Sequence, residues 1–275
     1  MIDLHSHTYQ SDGTCSPEEL VNEALAAGID TLGITDHDTF AGYDAALPCA
    51  RQAGLELLCG IELSTKLNGQ SVHLLGYFFE NADLAPLRAH IAELQASRSD
   101  RNRRLAERLQ QLGLDVTLEE AQARGRGMTG RPHFAQILVQ KGYAQSVQKA
   151  FDEFLGEDCK GYVERREPQF QEGVEWIRAA RGIASIAHPV RLRQNLRDVI
   201  AELCSNGMNG IEAYHSDHSA HDIETFLNVA KCYGLAVTGG SDYHGTVKPG
   251  IRLGVGRGSL CVPDELIPRM REAAV

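Results

Sequence analysis

Histidines and carboxylates gather in short clusters along this chain. His5-Ser6-His7 comes first, followed by Asp12 in a polar stretch, then Thr35-Asp36-His37-Asp38, Gly60-Ile61-Glu62 and Ser71-Val72-His73. Ala187-His188-Pro189 and Ser241-Asp242-Tyr243-His244 complete the series. On an extended strand, side chains two residues apart share a face, so His5 and His7 can reach one cation together. A lone His-x-His has an ordinary structural reading. The repetition does not, because buried acids and imidazoles in such number repel or stay unpaired without a cation. Imidazole and carboxylate ligands without thiolate suit Mn²⁺, Zn²⁺ or Fe²⁺. Divalent ions held close together bind phosphate oxygens, lower the pKa of a water to give a metal-bound hydroxide, and offset charge on the leaving oxygen. Hydrolysis of phosphate esters is therefore the chemistry these residues predict. Asp36 and Asp38 are placed to orient ligand histidines, with a helix N-cap as an equal alternative for Asp38.

The elements that must position these clusters alternate. A helical segment, a glycine and a short apolar run recur at Ala24–Thr35, Ala50–Leu63, Ala179–His188, Cys204–Tyr214 and Lys231–Asp242. Glycine suits the left-handed residue after a helix, and the apolar run reads as a buried parallel strand. Ser16, Pro17 and Glu19 mark the first helix start with a capping box. The pattern predicts an α/β sheet or barrel with helices outside, and the clusters fall at strand ends where barrels assemble active sites. Residues 84–158 read differently, as almost all helix, and are expected to be a helical insertion between barrel segments 1–83 and 159–275. Arg98, Arg101, Arg103, Arg104 and Arg108 crowd one of its helices, either as a solvated face or as an anion-attracting wall. His215 and His218 follow the apolar run Gly210–Tyr214, which favours substrate contact or proton donation. Gly130-Arg131-Pro132-His133 reads as a loop-to-helix junction with amides and a guanidinium for an anion, and Lys160 lies where the insertion returns to the barrel.

The totals set limits. With 275 residues, 43% of them hydrophobic, the chain can bury a full core. A net charge of −10 argues against wrapping long nucleic acid but not against small phosphorylated ligands beside bound cations. No apolar run is long enough to span a bilayer, and the N-terminal residues do not read as a secretory signal. Seven scattered cysteines without a Cys-x-x-Cys pair suggest reduced thiols in a cytoplasmic protein.

Taken in order, the His5-x-His7, Thr35-Asp36-His37, Glu62, His73, Ala187-His188-Pro189 and Asp242-x-His244 series resembles the PHP (polymerase and histidinol phosphatase) family. The resemblance implies a distorted (β/α)7 barrel with two or three divalent metal ions at its C-terminal face, Mn²⁺ favoured. It implies that His5, His7, Glu62 and Asp242 hold one ion. Glu62 would bridge to a second, completed by His73 and His188, while Asp12, His37 and His244 take a third. The Gly130-Arg131-Pro132-His133 and Lys160-Gly161-Tyr162-Val163 segments resemble a branch with a helical insertion, which acts on nucleoside 3′,5′-bisphosphates or trims short RNA from its 5′ end. Arg131, His133 and Lys160 would then bind the second anion. The leading expectation is a 3′-phosphatase for nucleoside 3′,5′-bisphosphates. The competing readings are a 5′-to-3′ exonuclease on short oligonucleotides, a histidinol phosphate phosphatase and a non-catalytic scaffold barrel. The last should have lost ligands, whereas all nine positions here carry competent side chains. No protein general acid and no oligomeric state is assigned at this level.

Overall fold

Local signals set the element boundaries in the computed structural model, which describes residues 1–125, 127–192 and 196–274. Helix α1 (Pro17–Ala26) opens where the capping box predicts: Ser16 Oγ accepts from the Glu19 amide, and Glu19 accepts from the Ser16 amide. The chain continues through α2 (Ala41–Ala53), α3 (Ala85–Gln111), α4 (Leu118–Arg124), α5 (Arg131–Gln140) and α6 (Val147–Ala150). Helices α7 (Phe170–Ala179), α8 (Leu196–Ser205), α9 (Ala220–Tyr233) and α10 (Leu266–Ala273) follow. Gly54 and Gly234 end α2 and α9 in the left-handed conformation, with φ 72° and 64°. The third repeat departs from this rule. Arg181 takes the left-handed position at φ 60°, and Gly182 is needed for space, since a Cβ there would overlap the Phe78 ring.

Seven strands are hydrogen-bonded in sequence order: β1 (Ile2–Asp3), β2 (Thr31–Ile34), β3 (Glu56–Leu67), β4 (Gln70–Phe78), β5 (Ile183–Ile186), β6 (Gly210–His215) and β7 (Ala236–Gly240). Neighbours run parallel except that β4 is antiparallel to both β3 and β5. The hairpin at Asn68-Gly69 places both residues at positive φ, 51° and 79°, as a tight two-residue turn between twisted strands requires. Beyond β1, the chain pairs with the residues around β7. The amides of Leu4, His7 and Asp242 donate to the carbonyls of Gly239, Tyr243 and His5 at 3.2, 2.9 and 2.9 Å. The result is a nearly closed α/β barrel. Its interior is packed by Ile2, Leu4, Leu75, Tyr77 and Ile183, and the Tyr77 hydroxyl donates to the Leu4 carbonyl.

The described chain divides into two compact units, Met1–Ala89 with Glu167–Val275, and His90–Arg166. The second has its own core of Leu105, Leu109, Phe134, Leu138 and Leu155. The expected helical insertion, residues 84–158, shares residues 90–158 with this unit. The arginines of α3 form neither a uniform solvated face nor an open cationic wall. Arg103 and Arg104 pair with Asp100, Arg108 donates to the Lys160 carbonyl, and Arg101 is buried. No helix among the described residues is long and apolar enough to cross a membrane.

Candidate metal centre

Each expected ligand is delivered by a strand or by the turn that leaves it. His5 and His7 lie on the extended segment after β1, and His37 follows β2. Glu62 sits within β3, and His73 on the neighbouring β4. Antiparallel pairing sets Ser64 against His73, so this histidine reaches the same edge from the start of its strand rather than from its end. His188 follows β5, and Asp242 and His244 follow β7.

Glu62 is the hub. Its Oε2 lies 3.2, 3.1 and 3.4 Å from ring nitrogens of His5, His7 and His37, and its Oε1 lies 2.8 and 3.1 Å from His73 and His188. Asp242 Oδ1 stands 3.6, 3.5 and 3.4 Å from His5, His7 and His244. Asp12 completes a third corner, its oxygens 3.3 Å from His244 and 3.7 Å from His37. Among the described residues four groups have ligand atoms within 4.8 Å of one another, and three of them consist of expected ligands: His7, Asp12, His37 and His244; His5, His7 and Asp242; and His37, Glu62 and His73.

The donor chemistry fits divalent metal. His7 Nε2, His37 Nδ1 and His73 Nδ1 are buried and make no hydrogen bond, although each faces a Glu62 oxygen at short range. Once these rings are neutral, as a metal ligand must be, their lone pairs face carboxylate oxygens as acceptor against acceptor, an arrangement that a shared cation satisfies. The tautomers agree. His5 Nδ1 donates to Glu212, His244 Nδ1 to the Asp242 carbonyl, and His7 Nδ1 faces Ser11 Oγ at 3.4 Å, so Nε2 of all three is free for a metal. Charge and burial compete throughout. Burial pushes the Glu62 and Asp242 carboxyls up, but the surrounding imidazoles outweigh it and hold both well below the ordinary range. Burial, helped by neighbouring cationic groups, outweighs Glu62 and carries His37 and His188 down to about 4. Asp38, His188 and Asp242 all adopt positive φ, 52°, 28° and 57°, the kind of backbone strain that collects at functional sites.

Other expected residues sit differently. Asp36 touches no histidine; it accepts from the Thr8 amide and hydroxyl and from Ser11 Oγ, and so reaches His7 only through Ser11. Asp38 accepts from the Ser64 amide and caps no helix, since α2 begins after Phe40. His215 is buried behind Asp242, with Nε2 3.3 Å from Oδ2. Its Nδ1 accepts from the Asp217 amide, which places the proton on Nε2 and leaves no lone pair there for a metal. His218 donates through Nδ1 to the Ala213 carbonyl and packs between His215 and Phe226. In the helical unit, Arg131 opens α5 with its guanidinium over the Phe151 and Tyr162 rings. His133 Nδ1 accepts from the Gly130 amide at the same helix start, which occupies an amide expected to be free for an anion. The Lys160 side chain is exposed.

Three residues at the centre carried no signal in the clusters. Glu212 accepts from His5 at 2.7 Å. Arg191 and Lys248 approach Asp242 Oδ2 at 3.3 and 2.7 Å, from the turns after β5 and β7. A cavity of about 220 Å³ opens beside Arg191, lined also by Gln70, Ser71, His73, His188 and Leu192.

Comparison with known proteins follows the same line. The profile of the PHP domain matches residues 3–157. The chain is 33% identical over 245 residues to the 5′-3′ exoribonuclease of Haemophilus influenzae, covering 88% of this chain and 89% of that protein. It is 32% identical over 248 residues to the 3′,5′-nucleoside bisphosphate phosphatase of Chromobacterium violaceum, covering 88% and 87%. A solved structure of a metal-dependent phosphoesterase from Bifidobacterium adolescentis superposes with a TM-score of 0.84 at 31% identity, over 100% of this chain and 96% of that one.

Proposed function

This chain belongs to the PHP domain family and is a metal-dependent phosphoester hydrolase; from that premise we propose that it removes the 3′-phosphate from nucleoside 3′,5′-bisphosphates. The observation that carries the reading is the pairing of a nine-residue imidazole and carboxylate cluster with two side-chain cations, Arg191 and Lys248, at its edge. In our assignment the nine ligands would hold two or three divalent ions, Mn²⁺ favoured over Zn²⁺ or Fe²⁺, with Glu62 at their centre. Such ions supply Lewis-acid charge to phosphate oxygens and acidify a water.

The protein's own groups do the rest. Asp242 turns Oδ1 to the ligand imidazoles and Oδ2 to Arg191, Lys248 and His215, so it separates the metal side from the cationic side. Arg191 is held in place by Asp217 at 2.5 Å and can offer its fork to a phosphate oxygen. The cavity bounded by His73, His188 and Arg191 suits a small phosphorylated molecule rather than a long polymer. Arg131, His133 and Lys160 are carried forward from the sequence as further substrate contacts, along with His218. The seven free thiols support a cytoplasmic setting.

Phosphate release from adenosine 3′,5′-bisphosphate, compared with the 3′-monophosphate, tests the proposal. Equal kcat/KM for the two would remove the second-anion requirement. Arg191→Ala should lower kcat/KM for the bisphosphate by about 10- to 100-fold, the worth of one charged hydrogen bond. The second reading is 5′-to-3′ exonuclease activity on short RNA, favoured by the likeness to the Haemophilus influenzae exoribonuclease. A 5′-phosphorylated oligoribonucleotide assayed beside the bisphosphate ranks the two, and histidinol phosphate in the same assay tests the third.

A further inference from the structure

We propose that Glu212 is a positioning residue that locks two metal ligands, His5 and His188, from two different strands at once. The inference rests on the metal-centre reading above and assigns a role to a residue that carries none in it. Glu212 is fully buried on β6. Its Oε1 accepts from His5 Nδ1 at 2.7 Å, and its Oε2 accepts from the His188 backbone amide at 2.6 Å. Each bond fixes something the centre needs. The first sets the His5 tautomer and ring plane, so that Nε2 faces Glu62 and Asp242. The second holds the backbone of His188, which sits at φ 28° and ψ 61°, outside the favoured regions for a residue with a side chain.

The position itself depends on an irregular strand. In a regular strand, residues 212 and 215 would face opposite sides. A bulge lies between Glu212 and Tyr214, and it brings Glu212 and His215 to the same side as His5. His5, Glu212 and His215 gather within 4.8 Å, but His5 already gives its Nδ1 proton to Glu212, so this group is a hydrogen-bonded support rather than another ion site. A buried carboxylate without partners would be strongly destabilising, and an apolar residue would fill the space better. Two short charge-assisted bonds, both to ligand residues, give the acid its purpose.

The test compares Mn²⁺ binding by wild type, Glu212→Gln and Thr117→Ala, by titration calorimetry with metal analysis. Glutamine keeps the shape and can accept from His5, but turns an N–H group towards the His188 amide. Glu212→Gln is expected to weaken binding of at least one ion by about 10- to 100-fold while the circular dichroism spectrum stays that of wild type. Thr117→Ala removes the capping box of α4 in the helical unit and should lower that unit's melting temperature without changing Mn²⁺ affinity. Wild-type affinity and stoichiometry in Glu212→Gln would overturn the proposal. Failure of the wild type itself to bind metal would overturn the metal reading instead. Should Glu212→Gln not fold, long-range ¹H–¹⁵N spectra of wild type decide: a proton on His5 Nδ1 supports the assignment, and one on Nε2 overturns it.

Discussion

Glu62 meets five imidazoles through two oxygens, three on one and two on the other. No other side chain could replace that division, and Glu62→Gln should abolish binding of the shared ions. We expect a loss of kcat/KM beyond about 100-fold, the upper end of what an outer partner costs, with metal content falling in parallel. Retained metal with lost activity would argue instead for a role in the reaction itself. His7 gives a pH signature. Burial lowers its ring pKa, but Asp242 and Glu62 outweigh burial and lift it to about 9. Below that pH an ion must displace a proton from His7, and the His5 and His73 rings are raised as well, so apparent metal affinity should rise between pH 7 and 9 by up to about tenfold per unit for each proton displaced. His37 and His188, held near 4, are already neutral there and add no such slope. A flat profile over this window in a metal titration would count against His7 as a ligand. At this scale the nine candidate ligands were legible because histidine and acid clusters sit beside apolar runs. Glu212 was not, since the bulge that turns it inward leaves no mark in the periodicity of Gly210–His215. Arg191 and Lys248 were missed because turn cations are common and only their meeting at Asp242 sets them apart.

Among the elements, the join between β1 and β7 matters most to the centre. Gly240 lies against His5 so closely that a Cβ would overlap its backbone amide. Gly240→Ala should therefore push the two segments apart, at a cost of about 2 kcal/mol or more, and should lower Mn²⁺ affinity because His5 and Asp242 lie on either side. A thermal melt with a parallel Mn²⁺ titration checks both; a destabilised variant with unchanged affinity would show that the join and the centre are independent. The alternating helix and strand pattern was readable from capping boxes and from glycines such as Gly54 and Gly234. The pattern failed at Arg181-Gly182 for a steric reason: glycine was required by the Phe78 ring, and the left-handed turn fell to its neighbour. The reversed direction of β4 came from Asn68-Gly69, a turn signal as strong as any in the chain.

For the molecule as a whole, two separate cores imply two separate stabilities. Ions bound to the barrel add stability to that unit alone, about 2.7 kcal/mol at a hundredfold excess over Kd. Chelation should lower its melting transition by roughly 5–10 °C and leave the transition of the helical unit in place. Scanning calorimetry with and without chelator would show it, and an equal shift in both would contradict separate cores. The barrel's closing join also has a consequence for biosynthesis. His5 leaves the ribosome more than two hundred residues before Asp242 and His244. The centre therefore cannot assemble on a nascent fragment. A truncated product would carry most of the ligands yet lack the two that complete them, so incomplete chains are left without hydrolytic activity.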